Sequence, residues 1–125
     1  MYQKKNFFNA ANALSGIINE TPLLWSKKLN DQLGSNLYLK AECLQLTGSF
    51  KLRGAYYCMH SQFVKDGKQD VVAFSSGNHA QGVALASRLK DVKATIVMPI
   101  NTMGRAPSMA TMESAVNAPN HSAMR

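Results

Sequence analysis

A lysine in the run TGSFKLRGA, residues 47–55, has the surroundings of a chemically active amine. Only a neutral lysine is a nucleophile, because the ammonium form has no lone pair. Apolar neighbours (Phe50 and Leu52) and the positive end of a helix dipole both favour the neutral form of Lys51. The run therefore predicts an amine that can form an imine with an aldehyde. An ordinary solvated lysine on a helix surface is the alternative reading of the same residue.

A second run, SSGNHAQG at residues 75–82, follows an apolar segment and leads into a predicted helix. Backbone N–H groups at such a turn are free to bind an anion. Gly77 permits a close approach of the backbone or a positive φ. Ligands of open α/β sheets bind beyond the carboxyl ends of the strands, which is where this loop falls. The alternative is a serine-capped helix without a ligand.

The two runs, in this order and with KAECLQL at residues 40–46 before them, resemble a known family. They are similar to the pyridoxal-phosphate enzymes of the tryptophan-synthase-β type, fold type II. Within that superfamily they look like the threonine/serine dehydratases and the serine racemases. The resemblance implies pyridoxal 5'-phosphate as the cofactor and an α/β fold.

The resemblance also implies a role for each matching residue. Lys51 would hold the cofactor as a Schiff base and then remove the substrate α-proton. Phe50 would pack beside the cofactor ring, and Asn78 would hydrogen-bond its phenolic oxygen. The substrate carboxylate would be held by the loop backbone with Ser75, Ser76 and His79. In racemase relatives, the serine that matches Ser76 is the acid/base on the opposite face of the cofactor.

The reaction that this family resemblance implies is an α,β-elimination, catalysed by a threonine/serine dehydratase (ammonia-lyase). A hydroxy amino acid would give a 2-oxo acid and ammonia, so threonine would give 2-oxobutanoate. Two alternatives stay open, which are a serine racemase-type relative and a catalytically inactive fragment. Arg53 and Gln81 look structural and are assigned no chemistry.

Composition narrows the class of protein and its partners. The chain has 125 residues, of which 46% are hydrophobic and 17% charged, as in a soluble globular domain. The net charge of +7 comes from scattered lysines and arginines, so a nucleic-acid-binding module has only the charge in its favour. We expect a small-molecule amino-acid substrate, no nucleic acid, no membrane and no metal, with homo-oligomerisation left open. Cys43 and Cys58 lack metal-site spacing, which indicates reduced thiols and a cytoplasmic protein.

Apolar periodicity and turn residues predict alternating helices and strands. The unit from Val71 to Pro99 reads as strand, helix, strand, which predicts a parallel pair with a right-handed crossover. Either Thr47 or Ser49 is expected to cap the helix that carries Lys51. The predicted helices cover residues 7–18, 26–33 (ended by Gly34), 49–63 and 79–89, and the predicted strands cover residues 23–25, 36–42, 71–74 and 94–98.

The family resemblance extends from about residue 12 to residue 102 and then stops. We expect an incomplete tryptophan-synthase-β-like domain at 1–102 and a divergent, irregular tail at 103–125. The sequence has no run of three or four glycines to hold a cofactor phosphate. It also has no counterpart of the hydroxyl that faces the pyridine nitrogen in the family. These features lead us to expect a truncated or frameshifted fragment with an altered tail.

Overall fold

The computed structural model describes residues 3–99 as an α/β arrangement of helices and short strands. The expected change of character at residues 103–125 lies outside these described residues. No helix within residues 3–99 has the length and apolarity needed to cross a membrane. The elements are α1 (Lys4–Leu14), β1 (Leu23–Trp25), α2 (Lys27–Leu33), β2 (Tyr38–Lys40), a 3-10 turn (Glu42–Leu44), α3 (Lys51–Asp66), β3 (Val71–Phe74), α4 (Asn78–Lys90) and β4 (Ala94–Val97).

The predicted strand–helix–strand unit is present, with β3 parallel to β4 and α4 between them in the chain. The register pairs Val71 with Ala94 and Phe74 with Val97. Side chains alternate across the sheet, as the strand repeat requires. Ile96 of β4 is 1% exposed, whereas Phe74 of β3 points away from the core and is 73% exposed. The unit therefore buries one face of its sheet beneath the helices.

The hydrophobic core lies where α3 and α4 meet each other and β4. Leu52 and Ala86 are completely buried there, and Leu14 at the end of α1 joins the same cluster. Burying such side chains contributes roughly 1.5–3 kcal/mol for each large one. The other buried members of the cluster are Ala55, Tyr56, Met59, Ala80, Val83, Ala94 and Ile96.

Helices α3 and α4 run in the same direction. Near their starts, Gly82 lies against the backbone of Lys51. Further along, the Ser87 hydroxyl is 3.7 Å from the sulfur of Met59, and Lys90 Nζ is 4.1 Å from the centroid of the Tyr56 ring. The amino-terminal ends of both helices, which carry the two sequence runs, are consequently at the same end of the pair.

The segment before α3 contains a small antiparallel ladder of β1 and β2, joined by α2. The predicted start and stop of α2 are confirmed. The Ser26 hydroxyl accepts a hydrogen bond from the Leu29 amide, and Gly34 ends the helix in the left-handed conformation with φ 58°. The β1 prediction is also confirmed.

Helix α1 differs from its predicted range of 7–18. It begins at Lys4 and ends at Leu14, because Gly16 takes a positive φ of 72° and stops the helical turn. Ile17 and Ile18 still pack against the core, but from the loop. Their helix-like spacing was therefore misread as a continued helix.

Two further elements differ at both ends from their predicted ranges of 36–42 and 49–63. Strand β2 covers only Tyr38–Lys40, because the chain turns into a 3-10 helix at Glu42. Helix α3 begins at Lys51, its N-cap is Phe50, and no side chain caps it. The Ser49 hydroxyl is 3.5 Å from the Lys51 amide, at the limit of a hydrogen bond, and Thr47 Oγ1 has no partner within residues 3–99. The predicted capping role of Thr47 or Ser49 is therefore not seen.

Candidate active site

Lys51 is the first residue of α3, at the positive end of the helix, as the sequence predicted. Its side chain is partly buried, and its Nζ lies 4.8 Å from the centroid of the Phe50 ring. Within residues 3–99 no carboxylate or carbonyl oxygen pairs with this amine. The adjacent Leu52 is fully buried and fixes the backbone. The backbone that carries the amine is thus restrained, while the amine has no hydrogen-bond partner among residues 3–99.

An ion pair ties α3 to the turn that precedes the lysine run. Arg53 donates to both carboxylate oxygens of Glu42, at 2.8 Å from Nε and 2.7 Å from Nη2. Thr21 donates to the same carboxylate through its hydroxyl. The hydrogen bonds from Arg53, and then that from Thr21, lower the pKa of Glu42 to about 2, against the opposing effect of burial. Glu42 in turn raises the pKa of Arg53. Arg53 therefore does structural work, in keeping with its lack of an assigned chemistry.

A buried glutamine fixes the chain immediately before the lysine run. Gln45 is 4% exposed, accepts a hydrogen bond from the Asn19 amide at 2.9 Å and donates one to the Asn19 carbonyl at 2.9 Å. Between this anchor and α3, Gly48 turns the chain with φ 66°. Thr47 Oγ1 is the buried side-chain oxygen within residues 3–99 that lacks a hydrogen-bond partner. Within the lysine run, the Thr47 hydroxyl can therefore still donate and accept a hydrogen bond.

The loop at the start of α4 uses its two serines differently. Ser75 Oγ accepts hydrogen bonds from the amides of Ala80, at 3.2 Å, and Gly77, at 3.4 Å. Its own amide donates to the Val97 carbonyl of β4 at 3.0 Å. Ser75 thus joins the end of β3 to the first turn of α4. Ser76 is exposed, and its hydroxyl has no partner in the described part of the chain.

Asn78 and His79 begin α4 and are also exposed, with side chains unpartnered among residues 3–99. Asn78 precedes Gly82 by four residues, so the two lie on one face of the helix. Gly82 contacts Lys51, and one helical turn rises about 5.4 Å. This places Asn78 about one turn beyond Lys51 at the same end of the pair. Asn78 and Lys51 are therefore at the same end of the helix pair, with the α4 loop beyond them.

The chain matches a model of pyridoxal-phosphate dependent enzymes over residues 14–116. This range covers most of the chain and includes both runs. The chain belongs to the pyridoxal-phosphate-dependent enzyme family.

The relatives and solved structures that the chain resembles include proteins named ammonia-lyases, dehydratases and racemases. The chain is 51% identical over 90 residues to the L-threo-3-hydroxyaspartate ammonia-lyase of a Pseudomonas species, covering 72% of this chain and 28% of that protein. It is 48% identical over 90 residues to the L-threonine ammonia-lyase of Thermotoga maritima, covering 72% of this chain and 22% of the relative. The structure of maize serine racemase aligns with a TM-score of 0.69 and 32% identity, covering 90% of this chain and 33% of the racemase.

These comparisons confirm the resemblance to threonine ammonia-lyases and serine racemases, and with it the fold. The α/β architecture, with its parallel β3–α4–β4 unit, is part of a fold type II pyridoxal-phosphate enzyme. The chain spans 22% to 33% of the length of these three proteins.

The residues present fit the aldehyde and the ring oxygen of this family's cofactor, whereas the sequence has no glycine run for its phosphate. Its aldehyde needs a primary amine, which Lys51 offers without a competing partner. A polar ring oxygen needs a donor, which the exposed amide of Asn78 offers. At this end of the helix pair, Gly82 packs so closely that an added Cβ would meet the Lys51 backbone, and the buried Thr47 hydroxyl has no partner within residues 3–99.

The importance of Gly82 was not predicted from the sequence. A glycine inside a helix is a poor helix former, and this alone was a signal that some neighbour requires it. Gln81, next to it, is exposed and lines a shallow cleft on the outer side of α4 with Ala84, Leu85 and Arg88. Gln81 thus lies apart from the contact with Lys51. Both cysteines are free, as expected.

Proposed function

We propose that this chain carries the lysine-bearing part of a pyridoxal-phosphate-dependent ammonia-lyase acting on β-hydroxy amino acids. The observation that carries the proposal is Lys51, an amine at the first residue of α3 that has no hydrogen-bond partner within residues 3–99, with the α4 loop at the same end. Relatives that are named ammonia-lyases match the chain at 51% and 48% identity. The net reaction converts threonine to 2-oxobutanoate and ammonia.

In this proposal, the chain's residues hold the cofactor and one end of the substrate. Lys51 would hold pyridoxal phosphate covalently through Nζ, beside the Phe50 ring, and Asn78 would donate a hydrogen bond to the cofactor's phenolic oxygen. When bound, the cofactor supplies a ring that accepts the electron pair left on the substrate α-carbon. Nζ of Lys51, once free, would take the α-proton.

The α4 loop would bind the substrate carboxylate. An anion is stabilised at a helix start by backbone N–H groups and the helix dipole. Ser76 and His79 have free side chains that can add donors directly. Ser75 would contribute mainly by holding the loop in shape, because its oxygen already accepts two amides, although its hydroxyl proton remains available.

Racemisation is a second candidate, and the exposed Ser76 favours it. Its unpartnered hydroxyl could deliver a proton from the face opposite Lys51, and the structural match to maize serine racemase supports this. Elimination and racemisation differ in their products. Incubation with L-serine, followed by chiral chromatography and a 2-oxo acid assay, separates the two.

The direct test of the proposed activity uses the full chain with L-threonine, with and without added pyridoxal phosphate. The proposal expects 2-oxobutanoate that depends on the cofactor and is abolished in Lys51→Ala. Lys40→Ala is the matched control, since Lys40 donates to the Thr21 carbonyl and is not placed in the site. Absence of product from the wild-type chain would favour the inactive-fragment alternative. Product formed by Lys51→Ala at the wild-type rate would reject the proposed role of Lys51.

A further inference from the structure

Gly82 is distinguished from the other glycines by what surrounds it. A Cβ built there would lie 2.9 Å from the carbonyl carbon of Lys51, 3.0 Å from the Leu52 nitrogen and 3.1 Å from Lys51 Cβ. At the other glycines described within residues 3–99, an added Cβ meets nothing within 4 Å. Gly82 also lacks a positive φ, so its conformation does not require glycine. Glycine is required at position 82 because α4 approaches α3 closely there.

The atoms that Gly82 approaches cannot move aside on their own. Two of the three belong to the α3 backbone, so no change of side-chain rotamer relieves the contact. The backbone is itself held, because Leu52 is fully buried and Arg53 is paired with Glu42 on the other side. Carbon atoms normally pack at about 3.5–4.0 Å, so any side chain at position 82 must push the helices apart by roughly 0.5–1 Å.

From this geometry we infer that Gly82 is a positioning residue, which sets the distance between Lys51 and the α4 loop. The inference rests on the proposed function, because a bound cofactor is what requires a fixed spacing between Lys51 and the α4 loop. Asn78 lies one turn before Gly82 on the same face of α4, so a displacement at Gly82 changes the separation of Asn78 from Lys51. A cofactor held by both residues requires that separation to be fixed.

The expected consequence of Gly82→Ala is a loss of selective reaction at Lys51. A displacement of about 1 Å at reacting groups can cost on the order of a hundredfold in rate. We therefore expect reductive trapping with pyridoxal phosphate and borohydride to label Lys51 about tenfold less, relative to the other lysines, than in the wild-type chain. Peptide mass spectrometry measures the ratio of Lys51 label to total label.

Two variants separate positioning from simple loss of stability. Gly54→Ala is the matched control within α3, because its added Cβ meets nothing within 4 Å, and we expect the wild-type label ratio. Val83→Ala destabilises the core next to Gly82 without adding an atom at the contact. The folded fraction of Val83→Ala should also keep the wild-type ratio of Lys51 label to total label. Retention of that ratio in Gly82→Ala, or an equal loss in Val83→Ala, would overturn the inference.

A measurement on the wild-type chain covers the case in which Gly82→Ala does not fold. Addition of pyridoxal phosphate should shift the amide resonance of Gly82, which touches the Lys51 backbone, and leave that of Leu33 in α2 unchanged. If the amide resonance of Gly82 does not shift while Lys51 is selectively labelled, the positioning role is rejected and the proposed function stands. Label spread evenly over the lysines of the wild-type chain would instead reject the proposed function, and the inference with it.

Discussion

The adjacent serines of the α4 loop show how two identical side chains take different roles. Both Ser75 and Ser76 were predicted to hold a substrate carboxylate. Ser75 Oγ accepts the amides of Gly77 and Ala80, so it satisfies backbone donors that the start of a helix leaves unpaired. Ser76 has no such contact among the described residues. The substrate-binding prediction remains open for both serines, while the structural contribution belongs to Ser75.

We predict that Ser75→Ala lowers the free energy of unfolding by about 0.5–2 kcal/mol, the usual cost of losing a side-chain cap. Ser76→Ala is the matched control and should change it by less than about 0.5 kcal/mol, as at an exposed site without partners. Urea denaturation followed by circular dichroism measures both values. Equal costs for the two serines would contradict the assigned difference.

At the level of the elements, the ion pair of Glu42 and Arg53, called here the polar brace, holds α3 against the chain that precedes it. Glu42 lies in the 3-10 turn and Arg53 in the first turns of α3, and their side chains are mostly buried, with 16% and 30% exposed. Lys51 lies between these two positions in sequence. The brace therefore restrains the segment that carries the lysine.

This brace predicts an acid-dependent contribution to stability. The pKa of Glu42 is about 2 in the folded chain, against an ordinary 4.5. A lowered folded pKa means that the contribution is fully present above about pH 4.5 and is lost as the pH falls toward 2. Glu42→Gln should cost about 1–3 kcal/mol at pH 7, and its difference from wild type should shrink across that window.

The control for Glu42 is Asp31→Asn, which breaks an exposed pair with Lys27 at 2.7 Å. It should cost less than about 0.5 kcal/mol at pH 7, because exposed i,i+4 pairs contribute little. Urea titrations at several pH values give both results. A constant gap between wild type and Glu42→Gln from pH 7 to pH 2.5 would refute the assignment of the low pKa to the brace.

The sequence predicted some elements well because their signals are local. The run Val71–Phe74, the polar turn and the apolar pattern of α4 mark their own boundaries, and Ser26 and Gly34 do so for α2. The sequence failed where tertiary packing decides. Ile17 and Ile18 follow a helical spacing, yet Gly16 ends α1, and both reach the core from a loop. The start of α3 depends on Gln45, whose partner Asn19 is distant in sequence.

Over the whole molecule, one core positions both sequence runs. Leu52 of α3, Val83 of α4 and Ile96 of β4 belong to the same buried cluster. The sequence proposed candidate site residues by type, but it could not predict their relative placement. The glycine inside α4 is a local signal that some neighbour comes close, but the packing of two helices decides that this neighbour is Lys51.

We predict that Ile96→Ala destabilises the molecule by about 2–5 kcal/mol, because Ile96 is 1% exposed and the removed atoms leave a cavity. Val72→Ala, in the neighbouring strand and 74% exposed, is the control and should cost less than about 1 kcal/mol. Thermal unfolding measures the two. Similar losses of stability in the two variants would indicate that β4 does not form part of this core.

The central claim is that Lys51 is the amine that holds pyridoxal phosphate. Reductive trapping of the full wild-type chain with the cofactor and borohydride, followed by peptide mass spectrometry, tests it most directly. We predict that label concentrates on Lys51 at low cofactor concentration and that Lys51→Arg removes it without raising the label elsewhere. Label distributed evenly over the exposed lysines, with no excess at Lys51, would contradict the claim.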